Sequence, residues 1–175
     1  MNKFEKVTFE EYSKHMDDGY TSGRLDKEYN DIKIPCRATK HSAGYDFYSP
    51  LDFYLDVGDT ITINTGIKCQ LDPDKFLAIY PRSGLGFKYR LQLDNTVGCI
   101  DADYYNNVKN EGLIFLKISN CGLNDEPDNL ENLLFVKKGD AFAQGIITQY
   151  FVTDDDFSDK TREGGIGSTT PTEGE

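Results

Sequence analysis

From Ile32 onward the apolar residues recur at every second position, and no stretch between them carries the 3.6-residue spacing of a long helix. Phe53, Leu55 and Val57 alternate with Asp52, Tyr54 and Asp56. Ile61, Ile63 and Thr65 alternate with Thr60, Thr62 and Asn64, and Ile67, Cys69 and Leu71 follow. Successive strand side chains point to opposite faces, so this pattern predicts half-buried strands, with Val57-Gly58-Asp59-Thr60 as a turn between two of them. Further runs are Phe76 to Tyr80, Gly112 to Ser119, Leu133 to Val136 and Phe142 to Val152, separated by clusters of Gly, Pro, Asn or Asp. Parallel strands need long crossovers, usually helical, and none is legible here. The expected class is all-β, an antiparallel sandwich or barrel.

The first thirty residues read as an extension. Thr8-Phe9-Glu10-Glu11 is a capping box, Val7 and Tyr12 are placed for a hydrophobic staple, and Phe9, Tyr12 and Met16 form a narrow apolar stripe. One short helix is expected from about Phe9 to Asp18, ended by Gly19 and Thr21-Ser22-Gly23. Residues 31–152 then form the β domain, with polar insertions at Asn106 to Gly112 and Asn124 to Asn132. Residues 153–175 are acidic and rich in Gly, Ser and Thr, the composition of a flexible arm.

A chain of 175 residues is long enough for one domain with a real core. Its formal charge of -11 disfavours general nucleic-acid binding, since an acidic surface repels phosphate backbones. No run of 18 apolar residues marks a membrane span, and Met1-Asn2-Lys3-Phe4-Glu5-Lys6 is not a secretory signal. Cys36, Cys69, Cys99 and Cys121 show no Cys-x-x-Cys spacing and no adjacent histidine. They read as reduced, mostly buried thiols of a cytoplasmic protein rather than as a zinc site or a disulfide frame.

Three short segments carry candidate chemistry. Pro81-Arg82-Ser83-Gly84-Leu85-Gly86 follows a strand and offers a guanidinium, a hydroxyl and exposed backbone N–H groups, a combination suited to phosphate oxygens and also common in ordinary turns. Gly98-Cys99-Ile100-Asp101-Ala102-Asp103-Tyr104 sets two carboxylates two residues apart, which on a strand share one face. Either carboxylate is a candidate base or metal ligand, or the segment is a solvated hairpin. Gly139-Asp140 opens the last long strand, in which Gln144 needs a hydrogen-bond partner, from the protein or from a ligand.

In this order, together with Ala43-Gly44-Tyr45-Asp46, Asn95 before Gly98, and Arg162 with Gly164-Gly165-Ile166-Gly167-Ser168-Thr169, these segments resemble the trimeric deoxyuridine triphosphatase (dUTPase) family over roughly Ile34 to Thr169. The resemblance implies a β-barrel or jelly roll, a homotrimer whose active sites draw on more than one subunit, and hydrolysis of dUTP to dUMP and pyrophosphate with Mg2+. It assigns Asp101 as general base for a water attacking the α-phosphorus, with Arg162 as the second catalytic group. It puts Tyr104 under the deoxyribose, where its ring excludes a 2′-hydroxyl. Asn95 with Gly98, Cys99 and Ile100 would bind the uracil edge. Arg82, Ser83, Gly84 and Gln144 would contact phosphates, and Asp46 would reach magnesium through water. Gly165, Ile166, Gly167, Ser168 and Thr169 would belong, with Arg162, to an arm that closes over the triphosphate. Lys109 falls near a position that touches the base.

Several residues depart from the family pattern. Tyr105-Asn106-Asn107 stands where Arg-Gly-Glu is usual, Ala141 replaces a common arginine, and Ile166 takes the place of an aromatic cover on uracil. A related dCTP deaminase is the nearest alternative on the same fold. A nucleotide-dependent regulatory protein, holding a protein partner through the insertions, is an alternative of another class.

Overall fold

The computed structural model describes residues 1–16, 22–122, 132–158 and 162. In chain order it runs β1 (Lys3–Lys6), α1 (Phe9–Ser13), α2 (Ser22–Asp31), β2 (Tyr45–Tyr48), β3 (Phe53–Leu55), β4 (Thr60–Asn64), β5 (Ile67–Gln70), β6 (Lys75–Pro81), α3 (Ser83–Tyr89), β7 (Leu91–Leu93), β8 (Gly98–Asp101), a 3-10 turn (Ala102–Tyr104), β9 (Phe115–Asn120), β10 (Leu134–Val136) and β11 (Ala141–Gln149). Strand pairing is antiparallel throughout these elements, in the orders β2-β11-β6-β8, β4-β9-β7, β1-β5 and β10-β3.

The antiparallel all-β class holds, and among the described residues its sheets stay open, none closing on itself. The turn at Val57 to Thr60 shows why. Gly58 adopts φ +90, and the Asp56 N–H donates to Asp59 Oδ2 at 3.0 Å, so the chain reverses as expected. Yet β3 pairs with β10 and β4 with β9, so this turn passes the chain from one sheet to another instead of closing a hairpin.

Alternation places the core. Phe53 and Leu55, Leu91 and Leu93, Leu116 and Ile118, and Leu134 and Val136 point inward from four different strands. They meet Phe47, Ile63, Ile67, Leu77, Ile79 and Phe142 in one cluster. Asn120 is fully buried and bridges the sheets: its Nδ2 donates to Leu55 O at 2.9 Å and to Asn132 O at 2.8 Å.

The N-terminal reading needs correction. Thr8 caps α1, its Oγ1 accepting from the Glu11 N–H at 3.2 Å, but the helix ends at Ser13 instead of near Asp18. Ser22-Gly23, read as a terminator, opens a second helix. α2 is largely polar, which hid it, and it is held by one face. Leu25, Glu28 and Ile32 are buried, the Tyr12 hydroxyl donates to Glu28 Oε1 at 2.6 Å, and the Tyr29 hydroxyl donates to Val7 O at 2.7 Å. Gly66, at φ +67, leaves room for this face; a Cβ there would lie 2.4 Å from Ile32 Cδ1. β1 adds a strand to β5, and Val7, Tyr12 and Leu25 join the main core. The thiols are also corrected. All four are free, but only Cys69 is buried, on the inward face of β5, and burial pushes its pKa up to about 12.

Candidate active site

The residues singled out from the sequence fall into two groups, one where β6 ends and one on the neighbouring strand β8 and the turn after it. The first sits where β6 ends. Arg82 is extended (φ -68, ψ 138), and α3 starts at Ser83, so the segment expected as a turn opens a short helix. The first N–H groups of a helix have no partner within it, and they suit an anion. The Arg82 N–H donates to Phe142 O at 3.2 Å, and its guanidinium Nε lies 3.4 Å from Asp46 Oδ1. Register explains the meeting. Gln144 on β11 stands opposite Asp46 on β2 and opposite Tyr80 on β6. Its Nε2 donates to Pro81 O at 3.3 Å, which supplies the protein partner its position required. Gly44 packs against the other end of the same amide, where a Cβ would lie 2.6 Å from Gln144 Oε1. A cavity of about 400 Å³ opens beside this group, lined by Tyr80, Pro81, Arg82, Ser83, Gly86 and Phe87.

The second group lies on β8 and the turn after it. β8 pairs with β6, whereas β7 pairs with β9, so the two strands flanking Asp94 to Val97 are not bonded to each other. Between them is a cleft of about 450 Å³. Asn95, Gly98, Cys99 and Ile100 line it on one side and Thr62, Phe115 and Lys117 on the other. β8 is the edge of its sheet, and an edge strand presents backbone N–H and C=O groups for pairing. Behind β8 a wider cavity of about 670 Å³ is lined by Leu71, Pro73, Phe76, Cys99, Asp101 and Asp103, among others.

Asp101 ends β8, and Asp103 and Tyr104 belong to the 3-10 turn. The strand therefore stops short of the second carboxylate, yet both converge on one cation. Arg162 Nη2 donates to Asp101 Oδ2, its Nε donates to Asp103 Oδ1 at 2.9 Å, and its guanidinium carbon lies 5.9 Å from the centre of the Tyr104 ring. Partial desolvation raises the Cys99 thiol pKa, and the adjacent Asp101 carboxylate adds to the shift. Burial also raises the Tyr104 phenol, against the opposing pull of Asn110 and Arg162.

Lys109 stands exposed on the loop after Tyr104, while Asn107 and Asn110 turn inward to that tyrosine. Sequence reasoning missed these two; the signal was a run of asparagines, side chains that bond to nearby backbone in turns. Gly165, Ile166, Gly167, Ser168 and Thr169, like the insertion at Asn124 to Asn132 up to residue 131, lie outside the described residues.

Asp101 and Arg82 do not meet within one chain. Asp101 is in register with Phe76, and Arg82 lies six residues further on, in extended backbone just past the end of β6. At about 3.3 Å per residue that is a separation of roughly 20 Å.

The dUTPase family model matches residues 30–116. A deoxyuridine 5'-triphosphate nucleotidohydrolase of Lactococcus lactis is 38% identical over 140 residues, covering 79% of this chain and 88% of that protein. One from Neisseria meningitidis is 36% identical over 153 residues, covering 83% and 92%. Among solved structures, dUTPase from Streptococcus mutans superposes with a TM-score of 0.63 at 28% identity, covering 87% of this chain and 98% of that one.

Proposed function

The chain belongs to the dUTPase family and hydrolyses dUTP to dUMP and pyrophosphate, and from that premise we propose how its two groups of residues divide the reaction. The cleft between β7 and β8 takes the uracil, read by Asn95 and by the open backbone edge at Gly98, Cys99 and Ile100. Tyr104 lies beneath the deoxyribose and leaves no room for a 2′-hydroxyl. Asp101 accepts a proton from the water that attacks the α-phosphorus in line; positioning of that water supplies much of the rate. Arg162 neutralises charge on the phosphates, and Gly165, Ile166, Gly167, Ser168 and Thr169 cover them. Lys109 is carried as a contact near the base.

The phosphates contact Arg82, Ser83, Gly84 and Gln144. The Asp46 carboxylate beside them is a hard oxygen donor, of the kind that holds Mg2+ through the ion's water shell. When bound, that ion would offset negative charge on the triphosphate. Asp46 would orient the ion's waters, and Arg82 would share the same charge.

One observation carries the assembly. The roughly 20 Å between Asp101 and Arg82 of one chain is too far for both to serve one α-phosphate. The reading that fits is a homotrimer in which Asp101 and Tyr104 of one subunit face Arg82, Ser83 and Gln144 of the next. The test is complementation. Asp101→Asn and Arg82→Ala chains, each well below wild type alone, are unfolded together and refolded as mixed assemblies. Shared sites pair an intact Asp101 with an intact Arg82 from different chains, so activity returns. Mixtures that stay as inactive as their parents would show that each site lies within one chain. Light scattering should give three chain masses.

A further inference from the structure

The loop that replaces the family's usual Arg-Gly-Glu is folded around Tyr104. The Tyr104 hydroxyl donates to Leu113 O at 2.9 Å and accepts from Asn110 Nδ2 at 2.8 Å. Its donor and an acceptor site are both engaged, so the far end of the ring is pinned from two directions. Asn110 is itself held: its Oδ1 accepts from Asn107 Nδ2 at 2.7 Å and from the Gly112 N–H at 3.1 Å. Asn107, which is buried, also donates to Tyr104 O at 2.8 Å and accepts the N–H groups of Lys109 and Asn110 at 3.1 and 3.2 Å. The bonds thus form a closed ring, from the Tyr104 carbonyl through Asn107 and Asn110 back to the Tyr104 hydroxyl.

The loop is fastened from outside as well. Glu111 accepts from the Thr8 N–H at 3.0 Å and from Thr8 Oγ1 at 2.5 Å, and from Lys68 Nζ at 3.3 Å. Gly112 is at φ +84, and a Cβ there would lie 2.7 Å from Tyr104 O. The loop therefore packs directly on the residue whose ring it holds.

We propose that Asn110 is a positioning residue that sets the selectivity of this enzyme for deoxyribose over ribose, acting through the Tyr104 hydroxyl. This rests on the reading of Tyr104 as the floor of the sugar site. The physical reason is stiffness. An apolar wall rejects one added hydroxyl only weakly, by about a hundredfold in a comparable pocket, and less if the wall can recede. A tyrosine ring held only at Cβ tilts; one also held at its hydroxyl does not. Support behind a contacting group is what keeps that group in its productive place.

The experiment compares kcat/KM for dUTP and UTP in wild type, Asn110→Ala, Tyr104→Phe and the double variant, with Tyr104→Ala as reference. Asn110→Ala should lower the dUTP to UTP ratio by about five- to tenfold, the worth of one hydrogen bond. The fall should come from a gain on UTP, with dUTP changed less than about threefold. Tyr104→Phe keeps the ring and removes the hydroxyl, so it should lower the ratio on its own. Adding Asn110→Ala to it should then do nothing more. An unchanged ratio in Asn110→Ala overturns the proposal, as does an equal loss on both substrates or the same fall in both Tyr104 backgrounds. If Asn110→Ala fails to fold, Tyr104→Phe decides, and an unchanged ratio there overturns the proposal. If Tyr104→Ala keeps full discrimination, the assignment of Tyr104 fails and this proposal falls with it. If Tyr104→Ala loses discrimination and Asn110→Ala does not, only this proposal fails.

Discussion

At the β8 end of the four-stranded sheet the polar groups are satisfied by one another. Tyr104 is 6% exposed with its hydroxyl bonded twice, and Arg162 is held by two carboxylates. At the β6 end Arg82 keeps 45% of its side chain exposed, and its contact with Asp46 is long, 3.4 Å. The first end is ordered by its own chain before any ligand arrives. The second keeps its cation facing outward. A rigid pocket suits recognition of a base and a sugar, which differ from their competitors by single groups. An open cluster of donors suits a triphosphate, which is recognised by charge and brings enough of it to orient flexible groups on arrival.

The sharpest way to break this contrast is Asp101→Asn, which keeps the shape of the β8 end and removes its basic oxygen. The expected fall in kcat is at least ~10²-fold, with dUTP binding retained in equilibrium measurements. Hydrolysis within threefold of wild type would leave the chemistry without its base. Arg82→Ala probes the other end. Losing a charged hydrogen bond to phosphate costs about 1.5–3 kcal/mol, so kcat/KM should drop roughly 10- to 100-fold, with the ratio between dUTP and UTP unchanged. A change in that ratio would mean that the two ends do not divide sugar from phosphate recognition.

The smallest expected effect concerns the brace behind Tyr104. Burial would raise the Glu111 pKa, but two hydrogen bonds from Thr8 and the Lys68 ammonium outweigh it, and the net shift is downward. A carboxyl lowered on folding adds stability above its unfolded pKa, and that stability is lost as pH falls through the lower folded value. Glu111→Gln should therefore be less stable than wild type at neutral pH, by no more than ~1 kcal/mol for a pair still partly open to solvent. The gap should close below about pH 4. Melting curves of the two proteins between pH 3 and 7 give the answer; a gap that persists in acid would remove Glu111 from the brace.

Periodicity and short motifs made much of this protein legible. Phe53 and Leu55, Leu116 and Ile118, and the inward residues of β5 alternate because each strand buries one face, a local rule that needs no knowledge of partners. Arg82 and Asp101 stand out in the sequence as side chains suited to a phosphate and to proton transfer, and the roles of Tyr104 and Arg162 are legible only through the resemblance to the dUTPase family. α2 escaped, since only Leu25, Tyr29 and Ile32 mark its packed side and the rest of its surface is polar. The partition into four sheets escaped as well, because a turn such as Val57 to Thr60 has the same residues whether it joins paired strands or passes between sheets.

Side-chain spacing is enough to give the class of fold and the order of most strands along the chain, because alternation is a local property, and the short motifs give the candidate site residues through their resemblance to a family. Only the folded chain settles which strands pair, and so that Asp101, on β8 beside Phe76, stands far from Arg82 just past the other end of β6. It also decided that Asn107 and Asn110, unremarkable in the chain, close on Tyr104. Both outcomes depend on contacts between distant segments, where register and loop geometry fix which atoms meet, and no local pattern encodes them.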